Sequence, residues 1–275
     1  MSEAEILFEV KDGLGVITLN RPKALNALTH GMILEMEKVI PGWEKDQAVK
    51  AVVLRGSGDR AFCAGGDVTG FKSAGDDSAF PRSLLHKLPR AYDFSRRPDY
   101  QSRAAYFPAI GKPIIAMLNG ATAGLGLVHA LYADMRFAAD DAVLTTAFAR
   151  LGLASEYGMA WALRNAVGHA NALDLLLSAR KVRGEEALRL GLVNRIHPRE
   201  ELAEATYAYA RELAESCSPL SLRMIKRQLW ELPFQTLHEA LMADSADMMQ
   251  TNLSEDFEEG KLAFKEKRKP RFKGR

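Results

Sequence analysis

Short apolar runs, several of them ending in glycine, organise the first half of the chain. ILFEV (6–10) and GVITL (15–19) flank the turn KDGLG and predict two strands, the second ended by Pro22. Thr29 precedes HGMILEMEKVIPGWEKD, whose apolar positions recur at helical spacing, which predicts a helix capped by the Thr29 hydroxyl. AVVLRG (51–56) is apolar almost throughout, the pattern of a strand buried on both faces of a parallel sheet. KPIIAMLNG (112–120) repeats that pattern. ATAGLGLVHALYA predicts a helix rich in small residues, and DMRFAADDAVLTT predicts two more short strands. From about residue 158 the spacing is mostly helical. Strands alternating with helices predict the α/β class with parallel pairing. Residues 1–200 form the expected core and 201–275 a C-terminal helical region.

Composition narrows the function classes. The net charge of +2 gives no reason to expect nucleic acid, and the one dense basic run, KEKRKPRFKGR, is an ordinary solvated tail by charge alone. Two cysteines, Cys63 and Cys217, make neither a disulfide framework nor a metal spacing, which fits a reducing compartment. MSEAEILFEV is acidic and too short in apolar length for a signal peptide. No apolar run reaches the length of a membrane span. A cytoplasmic protein without metal, membrane or nucleic-acid partner is expected.

The candidate chemistry lies where apolar strands run into glycine, at RAFCAGGDV (60–68) and at PIIAMLNGATAGLG. Glycine lets the chain turn sharply and lets a ligand approach the backbone. Where a helix follows, its first N–H groups lack internal acceptors and point outward with the positive end of the dipole. Two such turns facing one another would offer two donors to one oxygen, which suits negative charge developing on a carbonyl. Other motifs are absent. AGLGLVHA has His129 where a dinucleotide fingerprint needs its third glycine, and there is no phosphate loop, no nucleophile elbow and no pair of zinc histidines.

LNRPKALNAL, AFCAGGD, KPIIAMLNGATAGLGL and DMRFAADDAVLTTAFARLGL, in that order and spacing, resemble the crotonase (enoyl-CoA hydratase/isomerase) superfamily. The likeness continues through LLLSARKVRGEEALRLGLVNRI and EDFEEGKLAFKEKRKPRF, leaving out roughly 71–105. The resemblance implies a spiral of repeated ββα units. It also implies C-terminal helices that build a trimer or a dimer of trimers. The implied ligand is an acyl-CoA thioester, whose coenzyme A belongs to the substrate, with no separate cofactor. Its oxyanion hole falls on the backbone N–H groups of Gly66 and Leu125. Ala64, Gly65, Asp67, Val68 and Gly126 would lie along the ligand, with Asp67 also suited to a helix N-cap. Lys23, Ala24 and Ala27 match the loop that touches adenine and phosphate, and Lys267 matches a lysine that reaches a CoA phosphate from the tail.

The departures from the family pattern bear on the chemistry. The two glutamates with which hydratases of this type add water align here with Val128 and Phe148, neither of which transfers protons. SEYGMAWAL resembles a subgroup with AE[HYW]G followed by W-x-L, and it offers Glu156 and Tyr157. A carboxylate desolvated beside Phe148, Tyr157 and Trp161 would act as acid or base; the bland alternative is a loop carboxylate capping the next helix. His129 suits a structural role, Cys63 a small buried hydrophobe, and Tyr106 either an acyl pocket or plain packing. The aromatics between Phe71 and Phe107 would build a pocket over the acyl chain or a satellite core. An enoyl-CoA hydratase or isomerase of fatty acid metabolism, a lyase or isomerase, is the expected function. The alternative is an acyl-CoA binding protein that has lost or altered its chemistry.

Overall fold

Two sheets, built from alternate strands, carry the molecule. The computed structural model describes residues 4–67, 97–102 and 104–275. The larger sheet contains β1 (Ile6–Lys11), β2 (Leu14–Leu19), β3 (Ala51–Gly56), β5 (Ile114–Leu118), β7 (Met135–Ala139) and β10 (Arg195–His197), in that spatial order. The smaller contains β4 (Ala61–Cys63), β6 (Ala121–Ala123), β8 (Val143–Thr145) and β9 (Val182–Arg183). β1 and β2 form an antiparallel hairpin through Asp12 and Gly13, both at positive φ. β8 and β9 are also antiparallel, and the other strand pairings are parallel. The chain crosses from the larger sheet to the smaller between β3 and β4, again between β5 and β6, and again between β7 and β8. That repeat is the ββα spiral the resemblance implied.

α1 (His30–Lys45) begins as its sequence predicts, with the Thr29 hydroxyl accepting from the Met32 N–H at 3.2 Å. Met32, Ile33, Met36, Ile40 and Trp43 face the core, each contributing about 1.5–3 kcal/mol by burial. The run from Ala121 is not helical throughout. Ala121–Ala123 is strand β6, paired on both sides by β4 and β8, and α2 (Leu125–Tyr132) starts only after Gly124. Its first three residues find sheet partners too far away in sequence for periodicity to reveal. The strands β4, β9 and β10, of two or three residues, also escape a periodicity reading.

α3 (Met159–Val167), α4 (His169–Ser178) and α5 (Gly184–Arg189) follow β8, and α6 (Arg199–Ser216) packs across the larger sheet. α7 (Pro219–Glu231), α8 (Leu237–Asn252) and α9 (Glu255–Glu266) complete the chain. α7 is tied to the core by a buried ion pair. The Lys226 ammonium lies 2.7 Å from an Asp134 carboxylate oxygen and donates to the Lys112 carbonyl at 3.0 Å. Burial lowers the lysine's pKa and Asp134 opposes that shift. The same carboxylate accepts from the Ile114 N–H and from the Trp230 indole. Among the described residues no helix is long and apolar enough to cross a membrane.

Candidate active site

Two glycine turns, after β4 and after β6, bring the residues of two amides together. Gly65 has φ +122°, a conformation open to glycine, and it follows β4 directly. The LNRPKALNAL loop is laced to that turn. The Ala64 N–H donates to the Leu25 carbonyl at 3.0 Å, the Leu28 N–H to the Gly65 carbonyl at 2.8 Å, and the Asp67 N–H to the Leu28 carbonyl at 2.9 Å. In this parallel bridge the carbonyl before Gly66 and the N–H after it face Leu28, so the Gly66 N–H faces the opposite side. It donates to no protein acceptor among the described residues.

The second turn is Gly124, at φ +48°, and it opens α2. The helix closes its first bond from Val128 N–H to the Gly124 carbonyl at 3.0 Å, leaving the Leu125 N–H without an acceptor among the described residues. A methyl placed on Gly65 would stand 3.9 Å from the Leu125 nitrogen, and one on Gly66 3.9 Å from the Leu125 side chain. Gly66 and Leu125 are therefore neighbours across the gap between the turns. Gly126 acts through packing: a methyl there would fall 2.4 Å from the Cys63 carbonyl oxygen. That contact seats α2 against β4.

Two residues outside the expected set hold this arrangement. The buried Asn26 side chain donates to the Ser57 and Ala61 carbonyls, at 3.0 and 2.8 Å, and accepts from the Arg21 N–H. The Arg21 guanidinium donates to the Ala27 carbonyl and lies 2.7 Å from an Asp67 carboxylate oxygen. Polar residues inside an otherwise apolar LNRPKALNAL run were the available signal. Lys23 and Ala24 sit exposed on the turn Pro22–Ala24, and Ala27 is half-buried beside them. Lys267 is exposed at the end of α9, far along the chain from this loop, and no described cavity includes it. Val68, Phe71, Phe80, Tyr92 and Phe94, and the helix that Asp67 would cap, lie outside the described residues.

Glu156 lines a separate cavity of 510 Å³ with Asp99, Tyr100, Tyr132, Tyr157, Trp161 and Phe234. Gly66 and Leu125 do not line it, nor does Phe148. The turn that carries Glu156 is strained: Tyr157 has φ +51° and Gly158 φ +70°. Tyr132 supports it by donating its hydroxyl to the Tyr157 carbonyl at 2.8 Å. The Glu156 side chain does not cap α3, whose N-cap is Gly158, and makes no hydrogen bond among the described residues. Partial burial raises its pKa above the ordinary carboxylate value.

Val128 and Phe148 are buried in the apolar core, so no proton-transferring group stands at either position. His129, also buried, has Nδ1 2.9 Å from the Leu125 carbonyl, which assigns its proton to Nδ1. Burial lowers its pKa, and Nε2 has no partner among the described residues. Cys63 is fully buried, its thiol pushed up to about 12, and is inert as a nucleophile. Tyr106 is buried edge-on to Phe107 and packs, rather than lining the Glu156 cavity.

Residues 9–275 match the family profile described as enoyl-CoA hydratase/isomerase. A protein of Rhodobacter capsulatus described as a probable enoyl-CoA hydratase is 34% identical over 275 residues, covering 100% of both chains. A probable enoyl-CoA hydratase of Mycobacterium bovis is 33% identical, covering 93% of this chain and 88% of its own. The crystal structure of an enoyl-CoA hydratase from Bacillus anthracis superposes with a TM-score of 0.87 at 25% identity, over 99% of this chain and 100% of the other.

Proposed function

Because the chain belongs to the enoyl-CoA hydratase/isomerase family, we propose that it binds the carbonyl oxygen of an acyl-CoA thioester between the Gly66 and Leu125 amides. The observation that supports this most directly is that neither N–H group has an acceptor among the described residues while the two residues are neighbours across the gap between the turns. Such donors act on the charge that develops as the thioester becomes an enolate, and one of them is worth about a hundred- to a thousandfold in rate. The N-terminus of α2 adds its dipole to the same oxygen.

Glu156 is the proton-transferring group in this reading, which requires its cavity, lined by neither Gly66 nor Leu125, to open onto the gap between those amides. Its carboxylate has no structural bond to break and its pKa is raised toward the range useful for acid–base work. In hydration it takes a proton from water as the oxygen adds to the β-carbon, and its carboxyl then returns that proton to the α-carbon of the enolate. In double-bond migration it takes a proton from one carbon and returns it to another. Both outcomes fit one carboxylate, and neither requires a group at Val128 or Phe148. Lys23, Ala24, Ala27, Ala64, Gly65, Asp67 and Val68 would flank the CoA moiety, with Lys267 reaching it from a neighbouring subunit of a trimer.

The test is deuterium uptake. The purified protein is incubated in D₂O with saturated and α,β-unsaturated acyl-CoAs, and α-deuteration and added water are read by mass spectrometry. Exchange or hydration is expected, with Glu156→Gln lowering the rate by about a hundred- to ten-thousandfold. Activity that survives the substitution removes Glu156 from the mechanism. Binding without exchange by any ester supports the second reading, a non-catalytic acyl-CoA binder, which the apolar Val128 and Phe148 favour.

A further inference from the structure

Aromatic rings line the Glu156 cavity, and three of them belong to an aligned row. Tyr132, Trp230, Trp161 and Phe234 form a row in which each ring is close to parallel with the next. Their centroids are separated by 6.5, 6.4 and 5.5 Å and their planes are inclined by 30°, 19° and 15°. Tyr100 stands across this row, edge-on to Trp230 at 82° and to Phe234 at 74°. Tyr100, Tyr132, Trp161 and Phe234 all line the cavity.

The row is held from behind. Trp230 donates its indole N–H to Asp134, itself fixed by Lys226 and the Ile114 N–H. Tyr100 donates its hydroxyl to the Trp230 carbonyl, and Tyr132 donates to the Tyr157 carbonyl. These hydroxyl protons are engaged with the backbone, so what the two tyrosines offer the cavity is ring surface. Arg97 covers Phe234 at 4.1 Å and pairs with Asp99, while Glu156 has no cationic partner among the described residues.

A flexible alkyl chain gains little from such a wall beyond buried area, and it loses rotational freedom when held there. A flat ring loses little, and it gains edge-to-face contacts with the rings that line the cavity. We infer that the acyl group accepted beside Glu156 carries a planar aromatic or conjugated ring, so that the substrates are aryl-substituted acyl-CoA thioesters rather than straight-chain ones. The inference rests on the acyl-CoA reading above.

Two saturated esters matched in carbon number, 3-phenylpropanoyl-CoA and nonanoyl-CoA, separate the possibilities in calorimetric titrations of the full-length protein. The aryl ester should bind about tenfold more tightly, the worth of one or two ring contacts. Trp161→Leu should erase that preference by weakening 3-phenylpropanoyl-CoA about tenfold more than nonanoyl-CoA, since leucine is apolar but offers no ring. Phe234→Leu, at a partly exposed loop position, should do the same and stands in if the first variant does not fold. Equal or tighter binding of nonanoyl-CoA, or a preference that survives both substitutions, overturns the inference and leaves the acyl-CoA reading intact. Failure of both esters to bind removes that reading and the inference with it.

Discussion

Glu156 occupies a position where a structural role would show itself as a bond, and it makes none among the described residues. It neither caps α3 nor pairs with a cation, yet it is partly withdrawn from water. A carboxylate so placed weakens the fold when charged. Its folded-state pKa lies above the unfolded value, so the native state binds more protons across that interval. Stability therefore falls as pH rises from the unfolded pKa of about 4.5 through the raised folded value, and stays lower beyond it. Glu156→Gln removes the charge. Scanning calorimetry across pH should find the variant melting above the wild type by roughly one to two degrees near neutrality. The difference should vanish below about pH 4, where both states are protonated. A variant that melts lower at pH 7 would mean the carboxylate has a stabilising partner, and its catalytic role would lose its physical basis.

The element that decides the site is α2. Its first residue supplies one proposed donor, and its second, Gly126, sets how close the helix lies to β4. His129, one turn on, bonds back to the Leu125 carbonyl and braces the same residue. Gly126→Ala would press a methyl to within 2.4 Å of the Cys63 carbonyl oxygen and 2.7 Å of its Cβ, so the helix must shift. The expected cost is about 1–3 kcal/mol by urea denaturation, together with a fall in kcat that exceeds any rise in KM. Loss of stability with kcat unchanged would separate α2 placement from catalysis. The two glycine turns were legible in sequence because glycine after a short apolar run has few other uses. The strand β6 was not, because three residues carry too little periodicity and its partners β4 and β8 lie about 60 and 20 residues away. The same distance hid the role of Asn26, whose acceptors at Ser57 and Ala61 only folding brings near.

Across the whole molecule, the C-terminal helices contribute to the site from behind. Lys226 and Trp230 on α7 both bond Asp134, and Phe234 just beyond α7 closes the aromatic wall. The motif placed Tyr157 and Trp161 beside Glu156, but nothing in the spacing announces that Phe234 shares their cavity. α8 and α9 present a further apolar surface: Leu237, Met249, Leu253 and Phe264 are each more than two-thirds exposed, Leu253 to 88% and Phe264 to 87%. Residues this large at the surface of one chain fit burial against another copy, at about 1.5–3 kcal/mol for each side chain covered. The trimer or dimer of trimers that the family resemblance implies would give, by light scattering, a mass three or six times that of the chain. Leu253→Glu combined with Phe264→Glu should shift that mass to a single chain, since each charge would have to be buried unpaired at the contact. A wild-type chain that remains monomeric at micromolar concentration would exclude the trimer. With it would go the role proposed for Lys267, which requires a neighbouring subunit, while the amides of Gly66 and Leu125 and the Glu156 cavity, all within one chain, would stand.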